Sequence, residues 1–230
     1  MEEKFFMDAE KKVLTIYFAG DLFDAKDLGG NLMLARAIEE FSKGAYQIRL
    51  PQDGECEVTE RTAKNIRDED FRMLLESDLI IANFDGCDPD SGTVTEFCFA
   101  KMMDIPALLL RTDFRDGGDA ALPDSTPWNL MLSHFPRTEI LHLNSMQIYH
   151  DCRESGDFFA GLTAFYRDIA GKVVAALDRV RMEKSWLKKA NLSVVLENTV
   201  KSIGGADGNI FSAGELNRLI RKKENNGLYQ

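Results

Sequence analysis

Short apolar runs that alternate with amphipathic stretches constrain the fold of this chain most. The runs are rich in β-branched and aromatic residues and are bounded by turn residues, which is typical of buried strands. They cover residues 13–20, 46–51, 79–84, 106–112 and 139–144. Apolar residues at helical spacing fill the segments between the first four runs, at 27–43, 59–76 and 93–104. This alternation predicts a parallel sheet with helices on both faces and a ligand site beyond the carboxyl ends of its strands.

The last third of the chain has a different pattern. Residues from about 155 to 200 are helical in character almost throughout, with a charged break at RMEKS, 181–185. The apolar stripe at 158–180 is more typical of a packing surface than of a cofactor site. GGADGN at 204–209 resembles a flexible link before a short helix around 213–222. We therefore predict an α/β domain at 1–150 and a C-terminal helical extension at 151–230.

Composition excludes several classes of protein. The formal net charge of −10 argues against a nucleic-acid backbone or an anionic membrane as the main partner. No apolar run approaches the ~20 residues of a membrane helix, and MEEKFFMDAEKK lacks the apolar region of a signal peptide. The four scattered cysteines form no CxxC pair, which indicates reduced thiols in a cytoplasmic protein. The three histidines form no recognisable ligand set, so we predict no metal and no cofactor.

Glu96 is the residue on which the functional hypothesis depends, and two interpretations of it compete. Thr93-Val94-Thr95-Glu96 matches a capping box, in which the glutamate bonds back to the cap residue. Alternatively, Glu96 is a reactive carboxylate beside Asp85 and Asp90, which follow a buried strand. A carboxylate at a helix N-terminus is favoured as the anion. An ionised, partly desolvated carboxylate suits displacement at the anomeric carbon of a sugar.

Four motifs in one order carry a family resemblance. They are IYFAGDLF (16–23), the spacing from Asp70 to Ser77-Asp78, DPDSGTVTE (88–96) and PWNLML (127–132). In this order they resemble the nucleoside 2-deoxyribosyltransferase family, over roughly residues 13–145. The resemblance implies a flavodoxin-like five-stranded parallel sheet. It also implies an enzyme that acts on a deoxynucleoside and a free nucleobase.

The resemblance assigns the catalytic roles residue by residue. Glu96 would be the nucleophile that forms a covalent glycosyl-enzyme, and transfer to a second base would proceed with net retention. Tyr17 would hold the carboxylate of Glu96, and Asp70 would protonate the leaving base. Asp90 would bind sugar hydroxyls. Without the resemblance, Tyr17 could equally be an aromatic residue of the core. Asp90 would then be interpreted as a turn residue, and Asp70 as a solvated charge on a helix.

The resemblance also implies further substrate contacts and a homo-oligomer. Phe23 would stack on the base, and Asn129 would reach the sugar site of a neighbouring subunit. Gly20 and Gly92 complete the expected substrate-binding set, because a glycine lets the backbone approach a ligand closely. The apolar residues of PWNLML would need cover, either from another subunit or from the helical stripe at 158–180 in the same chain.

Several features depart from the family pattern. In shorter members the C-terminal carboxylate helps to complete a neighbour's site, whereas here a long segment follows the last strand. Glu55 stands where some members carry a base-reading glutamine, and there is no convincing serine cluster for a 5′-phosphate. We predict a nucleoside 2-deoxyribosyltransferase. The alternatives are an N-glycosidase, in which water is the acceptor, and a non-catalytic nucleotide sensor, against which the set of Tyr17, Asp90 and Glu96 argues.

Overall fold

The protein contains one five-stranded, all-parallel sheet. The structure is a computed structural model, and it describes residues 12–115, 117, 123–153, 157–205 and 210–230. The strand order is β2-β1-β3-β4-β5, with every neighbouring pair parallel. This order is the flavodoxin-like one, so the predicted fold class is confirmed. The strands are β1 (Leu14–Ala19), β2 (Tyr46–Arg49), β3 (Leu79–Asn83), β4 (Ala107–Arg111) and β5 (Thr138–His142).

The register of the central strands places the ligand-binding edge. Tyr17 of β1 lies beside Ile80 of β3, and Ala19 lies beside Ala82. β1 pairs with β2 on its other side, so the chain order reverses at β1. Open parallel sheets bind ligands in the crevice at such a switch point, outside the carboxyl ends of the strands. The loops that follow β1 and β3 therefore meet where a ligand is expected.

Helices cover both faces of the sheet. α1, α5 and α6 pack on one face, and α3, α4, α7 and α8 belong to the core on the other. Leu50 and Pro51 belong to the predicted strand at 46–51, but in the structure they cap and begin a short helix, α2. Pro51 at its first turn is preorganised for a helix, and its missing N–H removes no helical bond. The helices are α1 (Ala25–Phe41), α2 (Pro51–Glu57), α3 (Ala63–Glu76), α4 (Ser91–Met102), α5 (Ser145–Cys152), α6 (Phe158–Val180), α7 (Lys189–Ser202) and α8 (Ala213–Asn225).

The alternation of side chains along β1 divides the core into two clusters. Ile16 and Phe18 point towards α1 and α6, whereas Tyr17 and Ala19 point towards the face that carries α4. Successive side chains of a strand lie on opposite faces, so this division follows from the pleat. Tyr17 is fully buried. Its hydroxyl is thereby directed at the helix on which Glu96 lies.

The C-terminal helices pack on opposite faces of the sheet. The apolar stripe of α6 is buried against α1, β4 and β5, which agrees with its interpretation as a packing surface. α7 contacts α4 and α8 on the opposite face. Residues 206–209 of the predicted link lie outside the described part of the chain. The division of the chain at residue 150 stays a prediction.

Residues after α8 bind the amino-terminal edge of the sheet. Asn226 donates a hydrogen bond of 3.1 Å to Asp78, which precedes β3. Arg137, which precedes β5, donates to the carbonyl oxygen of Leu228 at 2.9 Å. Both bonds are buried. This last segment therefore lies at the edge opposite the expected ligand site of its own chain.

Two findings bear on the expected class of protein. In the described ranges no helix combines the length and the apolar character that a membrane span requires. All four cysteines are free thiols: Cys56 and Cys87 are exposed, and Cys98 and Cys152 are partly buried. No disulfide therefore contributes to the stability of this fold.

Candidate functional site

The N-terminus of α4 is capped by Asp90, not by Thr93. The helix begins at Ser91, and the Asp90 carboxylate accepts a hydrogen bond of 2.9 Å from the backbone N–H of Thr93. Glu96 therefore lies in the second turn, beyond the position from which a capping box is made. The capping-box interpretation is wrong because DPDS supplies an earlier cap than TVTE.

Glu96 is instead bonded to the central strand of the sheet. The Tyr17 hydroxyl donates a hydrogen bond of 2.6 Å to Glu96 Oε1. A buried tyrosine needs a partner for its hydroxyl, and a carboxylate makes a short, strong one. The contact that the resemblance implied is present, while its catalytic role stays a prediction.

A cavity of about 420 Å³ opens between α3 and α4 and reaches the Glu96 carboxyl group. Asp70, from α3, enters the same cavity, so the structure brings Glu96 and Asp70 together. Two aromatic rings, Phe71 and Phe99, form an edge-to-face pair with centroids 5.0 Å apart. A planar apolar ligand with a few polar groups fits such a lining. The lining residues are Arg67, Asp70, Phe71, Ser91, Gly92, Thr95, Glu96 and Phe99.

Burial makes the Glu96 carboxyl group hard to ionise. Desolvation raises the pKa of Glu96 to about 8, and the negative charges of Asp70 and Asp90 act in the same direction. The hydrogen bond from Tyr17 lowers the pKa and opposes them. We expected the helix N-terminus to favour the anion, but its field falls off within the first turn and Glu96 lies in the second. Glu96 is therefore largely protonated at neutral pH in the ligand-free protein.

Asp90 and Gly92 form a tight turn at the entrance to α4. Asp90 Oδ2 accepts both the backbone N–H and the hydroxyl of Thr93, at 2.9 and 3.3 Å. A Cβ atom at Gly92 would lie 2.9 Å from Asp90 Oδ2, closer than real Cβ contacts. Glycine at position 92 thus leaves room for the cap. The cap in turn holds the Asp90 carboxylate in one position.

Asp21 is a carboxylate that sequence reasoning missed. It follows β1 directly after Gly20, and its pKa is raised by partial burial and by the carboxylates of Asp90, Asp27 and Asp85. It therefore lies near Asp90 at the switch point of the sheet. The signal in the sequence was its place beside Gly20, at the carboxyl end of a predicted strand.

Asp85 has a structural role. Its carboxylate accepts hydrogen bonds from the backbone N–H of Thr112 at 2.5 Å and of Asp113 at 2.8 Å. The Thr112 hydroxyl adds a third bond at 2.7 Å. Asp85 therefore ties the loop after β3 to the loop after β4. Among the described residues, no group of three or more histidine, cysteine or acidic side chains could hold a metal ion.

Three other predicted site residues lie apart from the cavity. Phe23 is 76% exposed and is not among the residues that line the cavity. Gly20 lies against Asn83 at the end of β3. Asn129 is exposed, and its side chain accepts a hydrogen bond of 2.9 Å from the backbone N–H of Met131. The side chain of Glu55 lies outside what the structure describes.

The apolar residues of PWNLML are half covered by their own chain. Trp128 is fully buried and packs edge-to-face on Phe84, with ring centroids 5.2 Å apart. Leu132 is also buried, whereas Leu130 and Met131 are 52% and 74% exposed. The proposal that the stripe at 158–180 covers this cluster is wrong, because α6 packs on the other face of the sheet.

Comparison with known proteins places the chain in a family. The family model described as nucleoside 2-deoxyribosyltransferase matches residues 16–131. A conserved protein from Enterococcus faecalis V583 is 22% identical with a TM-score of 0.45, and the match covers 73% of this chain and 98% of that chain. A 2-desoxiribosyltransferase from Leishmania mexicana is 26% identical with a TM-score of 0.43, covering 53% of this chain and 86% of that chain. No curated protein matches the chain significantly in sequence. Because the family model spans half of the sequence, the chain belongs to the nucleoside 2-deoxyribosyltransferase family.

Proposed function

We propose that the protein transfers a 2-deoxyribosyl group between nucleobases through a covalent intermediate on Glu96. The observation that carries this proposal is the 2.6 Å hydrogen bond from Tyr17 to Glu96, in a cavity that also holds Asp70. Retaining glycosyl transfer uses a carboxylate nucleophile together with a second carboxyl group. Here a buried donor orients the proposed nucleophile. Family membership supports the same class of substrate.

The first half-reaction forms the glycosyl-enzyme. Glu96 passes its proton to Asp70, and a carboxylate oxygen then attacks C1′ of the deoxyribose. The C1′–N bond breaks, its electron pair stays on the base nitrogen, and Asp70 returns the proton to the base. The negative charge of Asp70 raises the pKa of Glu96, and two interacting carboxyl groups hold one proton between them more readily than none or two. One proton therefore serves both activation of the nucleophile and departure of the base.

The second half-reaction is the reverse of the first with another base. A nitrogen of the acceptor base attacks C1′ on the face that the first base left. The bond between C1′ and the Glu96 oxygen breaks, and Asp70 takes the proton that the acceptor base loses. Two inversions at C1′ give net retention. Tyr17 keeps the carboxylate in place throughout and stabilises it when it leaves.

Asp90 is proposed to hold the sugar. Its Oδ2 atom caps α4, which leaves Oδ1 to accept a hydrogen bond from a sugar hydroxyl. Because the cap fixes the carboxylate, the sugar is positioned relative to Glu96 on the same helix. Such positioning accounts for a large part of the rate in reactions of two bound partners.

We also propose that the active form is a homo-oligomer in which Asn129 completes the site of a neighbouring subunit. Its exposure, and the exposed Leu130 and Met131 beside it, support this arrangement. Exposed apolar side chains in one patch are typical of interaction sites. The proposed setting is nucleotide salvage in the cytoplasm.

One assay tests the proposed function. Deoxyinosine is incubated with the protein, with and without free adenine, and the products are separated. Transfer predicts deoxyadenosine and hypoxanthine when adenine is present. Free deoxyribose as the main product in both incubations would assign the protein as an N-glycosidase. Binding of the nucleoside without any product would assign it as a sensor.

A further inference from the structure

Arg67 enters the cavity that holds Glu96, although no motif points to it. It lies one helical turn before Asp70 on α3, so the two side chains share a face of that helix. Phe71, the next residue on that face, lies under the Arg67 guanidinium group, 5.0 Å from it to the ring centroid. The same side of the cavity thus presents a cation, a carboxylate and an aromatic ring.

The C-terminal extension holds Arg67 in this position. Arg67 Nη2 donates a hydrogen bond of 2.8 Å to the carbonyl oxygen of Ile203, just beyond the end of α7. Nη1 donates at 2.8 Å to Asp68, a buried carboxylate. Ile203 is itself 3% exposed and belongs to the same core cluster as Phe71. A segment outside the family-matched residues 16–131 therefore supports one wall of the cavity.

Arg67 retains hydrogen-bonding capacity for a ligand. A guanidinium group carries five N–H donors and no acceptor. The bonds to Asp68 and Ile203 use two of them within the described residues, and 48% of the side chain is exposed. Arg67 can therefore donate to a ligand, but it can never accept.

We propose that Arg67 is a specificity-determining residue that donates to the carbonyl oxygen of an oxo base, such as hypoxanthine or another 6-oxopurine. This inference rests on the proposed function, because it places the base on the Asp70 side of Glu96. A 6-oxopurine presents its carbonyl oxygen to Arg67 beside N7, a ring nitrogen to which Asp70 can return the proton as the base leaves. An amino base places an NH₂ group where the oxo base has its carbonyl, which sets donor against donor at Arg67.

The chain offers a matched control on the same helix. Arg72 also donates to a carbonyl oxygen of the extension, that of Ile210, and also lies over an aromatic ring, with 4.7 Å to the centroid of Phe211. It is not among the described residues that line the Glu96 cavity. Arg67→Ala and Arg72→Ala therefore each remove a bond to a carbonyl oxygen of the extension, and Arg72→Ala also removes an ion pair with Glu215. Only Arg67→Ala changes the proposed base site.

The test compares oxo and amino substrates in both variants. kcat/KM is measured for deoxyinosine and deoxyadenosine as donors to one common acceptor base, cytosine. Arg67→Ala should lower the preference for deoxyinosine by about 10- to 100-fold, mainly through KM, as expected for loss of a charged hydrogen bond to a base. Arg67→Lys should retain part of the preference, and Arg72→Ala should leave it unchanged while lowering Tm.

Binding of free bases keeps this inference separable from the proposed function. Calorimetry with hypoxanthine and adenine reports selectivity whether or not the protein turns a nucleoside over. Weaker hypoxanthine binding by Arg67→Ala, with adenine binding unchanged, supports the role of Arg67 even if no transfer occurs. Equal losses for both bases, no change for either, or the same shift in Arg72→Ala would overturn it.

Discussion

The Tyr17 hydroxyl lies 2.6 Å from Glu96 Oε1, so a side chain in the middle of the sheet orients a carboxyl group at the mouth of a cavity. Tyr17 has no exposed surface, which fixes the position of its hydroxyl. Burial raises the pKa of Glu96, and this bond works against that rise. Orientation and acidity of the proposed nucleophile therefore depend on the same contact.

Tyr17→Phe should slow the reaction and move its pH dependence. The mechanism needs the proton that Glu96 carries, so kcat/KM should fall as the pH rises through about 8. Removing the donor raises the pKa of Glu96 further, so this basic limb shifts to higher pH. We expect kcat/KM to fall about 10- to 100-fold, the effect of about 1.5–3 kcal/mol for a hydrogen bond to a charged group. The measurement is a pH–rate profile with deoxyinosine.

Tyr46→Phe provides a matched control for this profile. Tyr46 is also buried, and its hydroxyl donates to the carboxylate of Asp178 at 2.6 Å, on the face of the sheet that carries α6. This variant should lose stability but keep the pH profile of the wild type. A basic limb that stays in place in Tyr17→Phe, or moves equally in Tyr46→Phe, would argue against control of the Glu96 pKa by Tyr17.

Glu96→Gln should abolish turnover and make stability less dependent on pH. The folded-state pKa of about 8 lies above 4.5, the ordinary pKa of a glutamate, so between these pH values the folded protein binds a proton that the unfolded chain has lost. The stability that this proton contributes is complete below pH 4.5 and is lost as the pH rises through 8. Glutamine does not titrate. The free energy of unfolding of the variant, minus that of the wild type, should therefore be about 1–3 kcal/mol larger at pH 9 than at pH 5.

Urea unfolding at pH 5 and pH 9 measures this difference. The expected difference in stability is smaller than a full shift of the pKa would give, because Glu96 is only partly buried and solvent screens its charge. Stability differences that are equal at the two pH values would mean that Glu96 is not desolvated in the ligand-free protein. A variant that keeps its activity would remove Glu96 from the proposed mechanism.

A buried ion pair supports the C-terminal segment. Asp104 and Arg137 are almost fully buried and lie 3.0 Å apart, and Ser185 donates to the same carboxylate at 2.6 Å. Asp104→Ala should cost about 3–5 kcal/mol, because it leaves a buried guanidinium group unpaired. Arg179→Ala, which breaks an exposed pair with Glu139, should cost about 0–1 kcal/mol. Denaturant unfolding of both variants makes the comparison, and equal losses would contradict it.

The fold could be predicted because its strands are short apolar runs in strict alternation with helices. Buried parallel strands lack polar faces, so they stand out from their surroundings in sequence. Helix boundaries were harder, because α2 depends on Pro51 at its start and α4 on a cap three residues earlier than expected. The first residue of each of these helices depends on which of several possible N-caps is used, and the tertiary structure decides that.

The candidate site was predictable only where a residue belongs to a motif. The contact of Tyr17 with Glu96, and the shared cavity with Asp70, agree with the expectation from the resemblance. Arg67 and Asp21 were missed because their significance depends on neighbours distant in sequence. Arg67 is held at the site by its hydrogen bond to the carbonyl oxygen of Ile203. The two residues are far apart in sequence, so no local sequence pattern predicts this contact.

Asn129→Ala should be rescued by a second inactive variant if sites are shared between subunits. Mixed with Glu96→Ala, it can form oligomers in which one site draws an intact Glu96 and an intact Asn129 from different chains. Partial recovery of activity on mixing is therefore expected, together with light scattering that shows at least a dimer. Closed symmetric oligomers make every such site equivalent.

Asn144→Ala is the matched control for this experiment. Asn144 is another exposed asparagine whose side chain caps a helix, accepting from the backbone N–H of Gln147 at 3.1 Å. This variant should stay active without mixing. A fully active monomer, or an inactive Asn144→Ala protein, would argue against a special role of Asn129 across a subunit boundary.

Covalent labelling tests the role of Glu96 most directly. A 2-deoxy-2-fluoro nucleoside, incubated without an acceptor base, should accumulate the glycosyl-enzyme, because the fluorine destabilises the oxocarbenium-like transition state of its breakdown. Intact mass should rise by one fluorodeoxyribosyl group, peptide mapping should place it on Glu96, and Glu96→Gln should remain unlabelled. An unchanged mass in a protein that turns over deoxyinosine, or a label on another residue, would contradict a glycosyl-glutamate intermediate.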